Sequence, residues 1–302
     1  MCRHLGYLGP PVSVGELVVR GPHSLYVQSW APADMRAGGT INADGFGAAW
    51  WRRADIGVEG ERAAVTRYRN AAPIWTDPAV VEVLGQLESR AVLAAVRSAT
   101  VGMPVERGAC APFTDEHWAF SHNGVVPDWR TTLPLVLADL DETLSPAPVS
   151  GADPARPADV AVWHNGAAMP VFGSAAVLLQ AESLTDSAAL WVLLRGLLAA
   201  IRADGPIATP ADALRLLVAA VLRRQPNARL NLMLGNGTEL WATTCWHALS
   251  VLVAEDYTVL CSEPYDSDPR WQPIADRQLV IAGPGHCTVT DLELPVTERV
   301  RS

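Results

Sequence analysis

The chain has 302 residues, 49% of them hydrophobic, enough to bury one large core or two small ones. Its formal net charge is −9 with no basic run, which excludes nucleic acid as a partner, and no stretch reaches the roughly 18 consecutive apolar residues of a membrane span. All 23 basic residues are arginine, so chemistry that needs a lysine, such as a Schiff base or a P-loop, is also excluded.

The chain opens Met1-Cys2-Arg3-His4-Leu5-Gly6. Arg3, His4 and Gly6 interrupt the apolar run that a signal peptide needs, so a cytoplasmic location is expected. Removal of Met1 would leave Cys2 with a thiol and a free α-amine on one residue. Their reference pKa values, about 8.5 and about 7.7–8.0, let the amine take the thiol's proton near neutral pH. A cysteine at this position also fits an ordinary residue. The other four cysteines, Cys110, Cys245, Cys261 and Cys287, show no CxxC spacing, so neither a disulfide framework nor a zinc site is expected. Cys261, in Tyr257-Thr258-Val259-Leu260-Cys261, reads as a small buried hydrophobe.

Gly9-Pro10-Pro11 is expected to turn the chain. Asn42-Ala43-Asp44-Gly45-Phe46-Gly47 reads as a turn needing positive φ, or else as a loop bordering a site, and leads into a strand at Ala48–Trp51. Asp77-Pro78 starts a helical stripe to about Ser89. Ala91–Val96 is a short buried strand that delivers Arg97 to its end, and His117–His122 is a strand ending in Asn123-Gly124. Residues 131–179 change composition: Pro146, Pro148, Pro154 and Pro157 lie among Ala, Ser, Gly and Asp, as in a partly flexible insertion. Asp186 opens an apolar helix that should be buried on most faces. Thr209-Pro210-Ala211-Asp212 is a helix start, and Arg223-Arg224 with Pro226 end that helix. Six short segments then follow between 229 and 291, the first two joined by an Asn236-Gly237 turn, which implies antiparallel sheet. Strands, two buried helices and strands again imply sheets covered by helices, in a single domain over 1–302 with the insertion at about 131–179.

Acyl transfer from an amide needs a nucleophile, donors for an oxyanion and a clamp on the substrate. Asn123-Gly124 can supply an amide N–H and a backbone N–H to one oxyanion, though an Asn-Gly pair also fits a plain turn. His164-Asn165-Gly166 repeats the tripeptide, but in Pro/Ala-rich sequence; the copy that follows a strand is the better candidate. Arg97 is either an edge residue with a carboxylate partner or a bidentate clamp for a substrate carboxylate. Asp186 is either a helix cap or a site for a substrate ammonium.

Together these pieces resemble the class II glutamine amidotransferases of the N-terminal-nucleophile hydrolase superfamily. The resemblance lies in MCRHLGYLG, VQSWAP, NADGFG, LAAVRSATVGMP, PFTDEHWAFSHNGVV, AESLTDSAAL, PNARLNLML and SEPYD, in order along nearly the whole chain. Within the family the likeness is to the γ-glutamyl hydrolases of ergothioneine biosynthesis. The resemblance implies an α+β fold, an αββα sandwich of two antiparallel sheets flanked by helices. It implies Cys2 as nucleophile, Asn123 and Gly124 as oxyanion hole, and Arg97, Asp186 and Thr100 as substrate-binding residues. The implied reaction is hydrolysis of the γ-glutamyl amide of γ-glutamyl-hercynylcysteine sulfoxide by way of a thioester on Cys2. No metal and no cofactor are implied; the partner is a small γ-glutamyl substrate. Glutathione or glutamine as substrate, and a catalytically silent binding scaffold, are the alternatives. Four of the eleven tryptophans, Trp30, Trp50, Trp51 and Trp75, offer aromatic faces to a trimethylammonium group.

Overall fold

A computed structural model describes residues 2–34, 36, 41–52, 63–144 and 170–292. Thirteen strands and six α-helices are present among them. In chain order they begin with β1 (Arg3–Ser13), α1 (Val14–Val19), α2 (Leu25–Gln28), β2 (Phe46–Trp51), β3 (Val65–Asn70), α3 (Ala79–Glu82) and β4 (Glu88–Val96). The middle of the chain adds β5 (Phe113–Thr114), β6 (Ala119–Val125), α4 (Trp129–Leu144), α5 (Asp186–Ala199) and α6 (Pro210–Arg224). The last third holds β7 (Arg229–Gly235), β8 (Leu240–Thr243), β9 (Ser250–Val253), β10 (Thr258–Cys261), β11 (Gln272–Pro273), β12 (Gln278–Gly283) and β13 (His286–Asp291). None of the described helices is long and apolar enough to cross a membrane.

Two antiparallel sheets result. One has the order β11-β9-β10-β1-β4-β2-β3, the other β13-β12-β8-β7-β6-β5. The strand period of two sorts their side chains into three layers. Leu8 of β1, Ala91 and Leu93 of β4, Met233 of β7 and Leu240 of β8 meet between the sheets. The alternate residues Leu5, Tyr7, Val92 and Ala94 pack outward against α1 and α2. On the far face of the second sheet, Phe120, Leu230, Leu232 and Leu234 pack against α4, α5 and α6. This is the αββα sandwich the sequence implied.

The helices follow their local signals. Thr209 caps α6 in a capping box with Asp212, and Pro210 occupies the first turn. In α5 ten residues are buried, Leu190, Leu193 and Leu197 among them. The Asn236-Gly237 pair turns β7 into β8: Gly237 has φ +92°, and Asn236 Oδ1 accepts from the N–H groups of Thr238 and Glu239. The seven strands from β7 to β13 divide between the sheets, β9, β10 and β11 joining the first and β7, β8, β12 and β13 the second; the two-residue β11 is not among the six segments expected from the sequence.

Three expectations change. Gly9-Pro10-Pro11 does not turn the chain; β1 runs through it, with a bulge between Leu8 and Val12. Pairing to β10 stops at Leu8, so on that side the prolines' missing N–H groups face no ladder. The helical stripe after Asp77-Pro78 breaks into the four residues of α3 and a 3₁₀ turn at Leu84–Gln86, and Glu88 and Ser89 already belong to β4. The first part of the 131–179 stretch is the 16-residue α4, whose Leu133, Val136, Leu137 and Leu140 are buried in the helical layer. Its proline-rich remainder, with His164-Asn165-Gly166, lies outside the described residues.

Candidate active site

Cys2 precedes β1 and shares the parity of His4, Gly6 and Leu8, which face the second sheet. Arg97 follows β4 with the parity of Leu93 and Ala95, so it too turns to the space between the sheets. β1 and β4 are neighbours, with Arg3 opposite Val96, and the Cys2 thiol lies 3.7 Å from the Ser98 carbonyl oxygen. From the second sheet β6 lies over both strands. His4 Nδ1 is 3.3 Å from Ser121 Oγ, and the next residue of that face, Asn123, shares a cleft with Arg3. Cys2, Arg97 and Asn123 therefore converge on one end of the sandwich.

Asn123-Gly124 is not a turn. Both residues pair within the sheet, Asn123 with Asn231 and Gly124 with Leu230, and β6 continues to Val125. Glycine is required at 124 because a Cβ there would lie 1.9 Å from the Arg229 carbonyl oxygen. The Leu230 N–H donates to Cys245 O, away from β6. Gly124 and Leu230 are thus a non-hydrogen-bonded pair, and the Gly124 N–H points to the opposite edge of β6. β5 covers that edge only at Ala119 and Phe120, so the Gly124 N–H lies beyond the ladder. The Asn123 side chain is 1% exposed, and both its amide atoms are buried without a partner. A buried amide left unbonded costs about 1–3 kcal/mol. Two donors on adjacent residues without partners among the described residues make a ready oxyanion site.

Asp186 stands at the same edge of β6. Its Oδ2 accepts from the Val126 N–H (2.8 Å), two residues along from Gly124. Its Oδ1 accepts from the Ser187 N–H (2.8 Å). The cap of α5 is Thr185, whose side chain accepts from Ala188 N, so Asp186 is not needed as a cap. Oδ1 also lies 3.5 Å from the Ser187 hydroxyl, while Oδ2, with one donor, keeps a lone pair for a cation. Behind it His122 is fixed between Ser187 Oγ (2.9 Å) and the Arg229 carbonyl (2.8 Å).

The turn containing Asp44 proves to be part of the Arg97 environment. Asp44 N–H donates to Arg97 O, Arg97 N–H donates to Gly45 O, and the Arg97 guanidinium donates to Asp44 O at 3.3 Å. Asp44 Oδ2 accepts from the Ala99 N–H (2.7 Å). Gly45 is at φ +114°, and a Cβ on it would meet Cys110 Sγ at 2.3 Å. The segment is a positive-φ turn, as read, and it lies against Arg97. Cys110 is fully buried, and burial pushes its thiol pKa up. Thr100 is exposed on the loop that follows, and no described contact ties its side chain to the other candidates. Trp50 and Trp51 are buried within β2, while Trp30 stacks edge-on against Tyr26 and Trp75.

One arrangement had no sequence signal, because its partners are 260 residues apart. Arg3 Nε donates to Glu263 Oε1 at 2.7 Å, with side chains 3% and 5% exposed. The same guanidinium donates to Cys2 O (3.0 Å) and to Asp34 O. Glu263 also accepts from His23 and from the N–H groups of Ala33 and Asp34. Burial works to raise the Glu263 pKa, but His23, Arg3 and the Ala33 N–H outweigh it and hold the carboxyl below its ordinary value. It thus adds stability that is present above about pH 4.3 and lost as pH falls through its lowered pKa. Glu263→Ala strands a buried arginine, and urea unfolding at neutral pH is expected to show a loss of about 3–5 kcal/mol.

Residues 20–146 match the family described as class II glutamine amidotransferases. The chain is 39% identical over 294 residues to the γ-glutamyl-hercynylcysteine sulfoxide hydrolase of Mycolicibacterium smegmatis, spanning 97% of this chain and 100% of that one. It is also 39% identical over 293 residues to the protein of the same name from Mycobacterium tuberculosis, spanning 97% of each. Among solved structures, a class II glutamine aminotransferase domain protein from Silicibacter pomeroyi superposes with a TM-score of 0.53 at 20% identity, covering 96% of this chain and 99% of that one. Glutamine phosphoribosylpyrophosphate amidotransferase from B. subtilis gives 0.54 at 13% identity, over 97% of this chain and 50% of that one. These two structures share the fold described above.

Proposed function

Because the chain belongs to the class II glutamine amidotransferase family, we propose that it hydrolyses the γ-glutamyl amide bond of γ-glutamyl-hercynylcysteine sulfoxide through a thioester on Cys2. The observation that carries this reading is the convergence of Cys2, Arg97 and Asn123 on one end of the inter-sheet space, in a chain alike to named hydrolases over nearly all its length.

Removal of Met1 frees the α-amine. That amine takes the Cys2 thiol proton as sulfur attacks the γ-carbonyl carbon. The carbonyl oxygen becomes an oxyanion, which the Asn123 amide and the Gly124 N–H receive. When the tetrahedral intermediate collapses, the C–N bond breaks and the terminal ammonium returns the proton to the leaving nitrogen. Water then attacks the thioester, again with the amine as base, and glutamate and the free thiol are released. Arg97 grips the α-carboxylate of the γ-glutamyl group, while Asp186, whose Oδ2 has only the Val126 N–H as donor, receives its α-ammonium.

Mass spectrometry with a γ-glutamyl-directed electrophile tests the reading. One adduct on Cys2, on a chain that has lost Met1, is expected; an adduct elsewhere, or a retained Met1 on active protein, overturns it. Arg97→Lys replaces a planar fork by a point charge and is expected to lower kcat/KM by about 10–100-fold, mostly through KM. Unchanged steady-state constants in that variant remove Arg97 from the site.

A further inference from the structure

Asp186 is 5% exposed, and its partners among the described residues are the N–H groups of Val126 and Ser187 and the Ser187 hydroxyl. Arg229 is near enough for the two charges to interact, but it is not one of those partners. A buried carboxylate is ordinarily paired with a cation, and the α-ammonium assigned to it above is the charge it lacks.

Two of the three partners are backbone groups fixed by the sheet and the helix. The third is a hydroxyl, which rotates and has one proton to give. His122 decides where that proton goes. His122 Nε2 lies 2.8 Å from the Arg229 carbonyl oxygen, which can only accept, so Nε2 carries a proton. In the neutral ring Nδ1 is then an acceptor, and its partner at 2.9 Å, the Ser187 hydroxyl, is the donor. The proton spent on His122 is withheld from Asp186 Oδ1, which lies farther off at 3.5 Å.

The ring is locked in this orientation. It is 3% exposed, and its Nε2 sits close beneath Gly124, where a Cβ would meet Nε2 at 2.6 Å. Turning the ring over would bring C–H groups against both the Arg229 carbonyl and the Ser187 hydroxyl, and both bonds would be lost. Without an acceptor on residue 122, the nearest acceptor left to the hydroxyl is Asp186 Oδ1. A hydroxyl turned that way occupies the carboxylate and competes with an incoming ammonium.

We infer that His122 is a positioning residue for the γ-glutamyl site: by engaging the Ser187 hydroxyl it keeps Asp186 open to the α-ammonium, and so sets the selectivity for acyl groups that carry an α-amine. This role rests on the reading of Asp186 given above and adds to it the residue that keeps that carboxylate free.

L-Glutamate and glutarate differ by the α-ammonium alone, and isothermal titration calorimetry reads the ratio of their Kd values. The wild-type protein is expected to bind L-glutamate at least about tenfold more tightly. His122→Phe is expected to cut that ratio below about threefold, because the freed hydroxyl turns to Asp186. Adding Ser187→Ala to His122→Phe removes the hydroxyl and should restore the ratio to within about threefold of the wild-type value. A merely structural role for His122 predicts no recovery from a second truncation. His122→Asn, which can offer an amide oxygen near the Nδ1 position, is expected to keep the wild-type ratio. A ratio kept by His122→Phe, or not restored by the added Ser187→Ala, overturns the inference and leaves Asp186 as the ammonium site. If His122→Phe does not fold, a ratio lost in His122→Asn overturns it. A wild type that binds L-glutamate no more tightly than glutarate rejects the reading of Asp186 itself.

Discussion

Cys2→Ala is expected to lower kcat by at least about 10⁴-fold, since no second nucleophile replaces the sulfur. The fold should not suffer. Cys2 is partly exposed, and its thiol makes one long contact, to Ser98 O. Its backbone carbonyl, which Arg3 holds, is untouched by the substitution. Cys2→Ser separates the two functions on the residue, because it keeps the amine and weakens the nucleophile. Chemical acylation of the terminal amine does the reverse, and turnover should vanish with the thiol still in place. Steady-state kinetics alongside thermal unfolding tests all three. An acylated protein that turns over normally would show that another group is the base.

Asn123→Ala carries the second large effect, and two observables should move apart. Loss of one oxyanion donor typically costs about 2.7–4 kcal/mol of transition-state stabilisation, so kcat is expected to fall about 10²–10³-fold. Stability should hold or rise. The amide is buried with neither atom bonded, so its removal relieves a desolvation penalty of about 1–3 kcal/mol. A catalytic group kept at a cost to the fold has this signature. A variant with a lowered Tm and normal kcat would instead make Asn123 a structural residue.

Much of the architecture was legible where a local rule and the packing agree. The Thr209 box, the Asn236-Gly237 hairpin and the short strands between turn residues after 229 each announce themselves within a few residues. Where tertiary context decides, local rules misled. Gly9-Pro10-Pro11 carries turn residues, but the strand continues because its neighbours still pair around a bulge. Asn123-Gly124 has the dipeptide of a turn, but the approach of the Arg229 carbonyl is what demands glycine. Proline-rich composition from 146 onward hid the helical pattern of α4 just before it. Of the proposed site, Cys2, Arg97, Asn123, Gly124 and Asp186 stood out through strand ends, helix starts and family likeness. Arg3 and Glu263 did not, since their bond joins segments 260 residues apart and no spacing rule links them.

If Cys2 is the nucleophile proposed above, its terminal position bears on turnover. Chain ends ordinarily fray, and a reactive group carried on one would have to be recaptured in each cycle. Here the first strand is clasped on both flanks, by β4 and by β10, so the loose end of the polypeptide becomes an interior fixture of the sheet. The freedom lost in aiming that end is surrendered once, when the protein folds, so a substrate of the proposed reaction would arrive at a sulfur already in place.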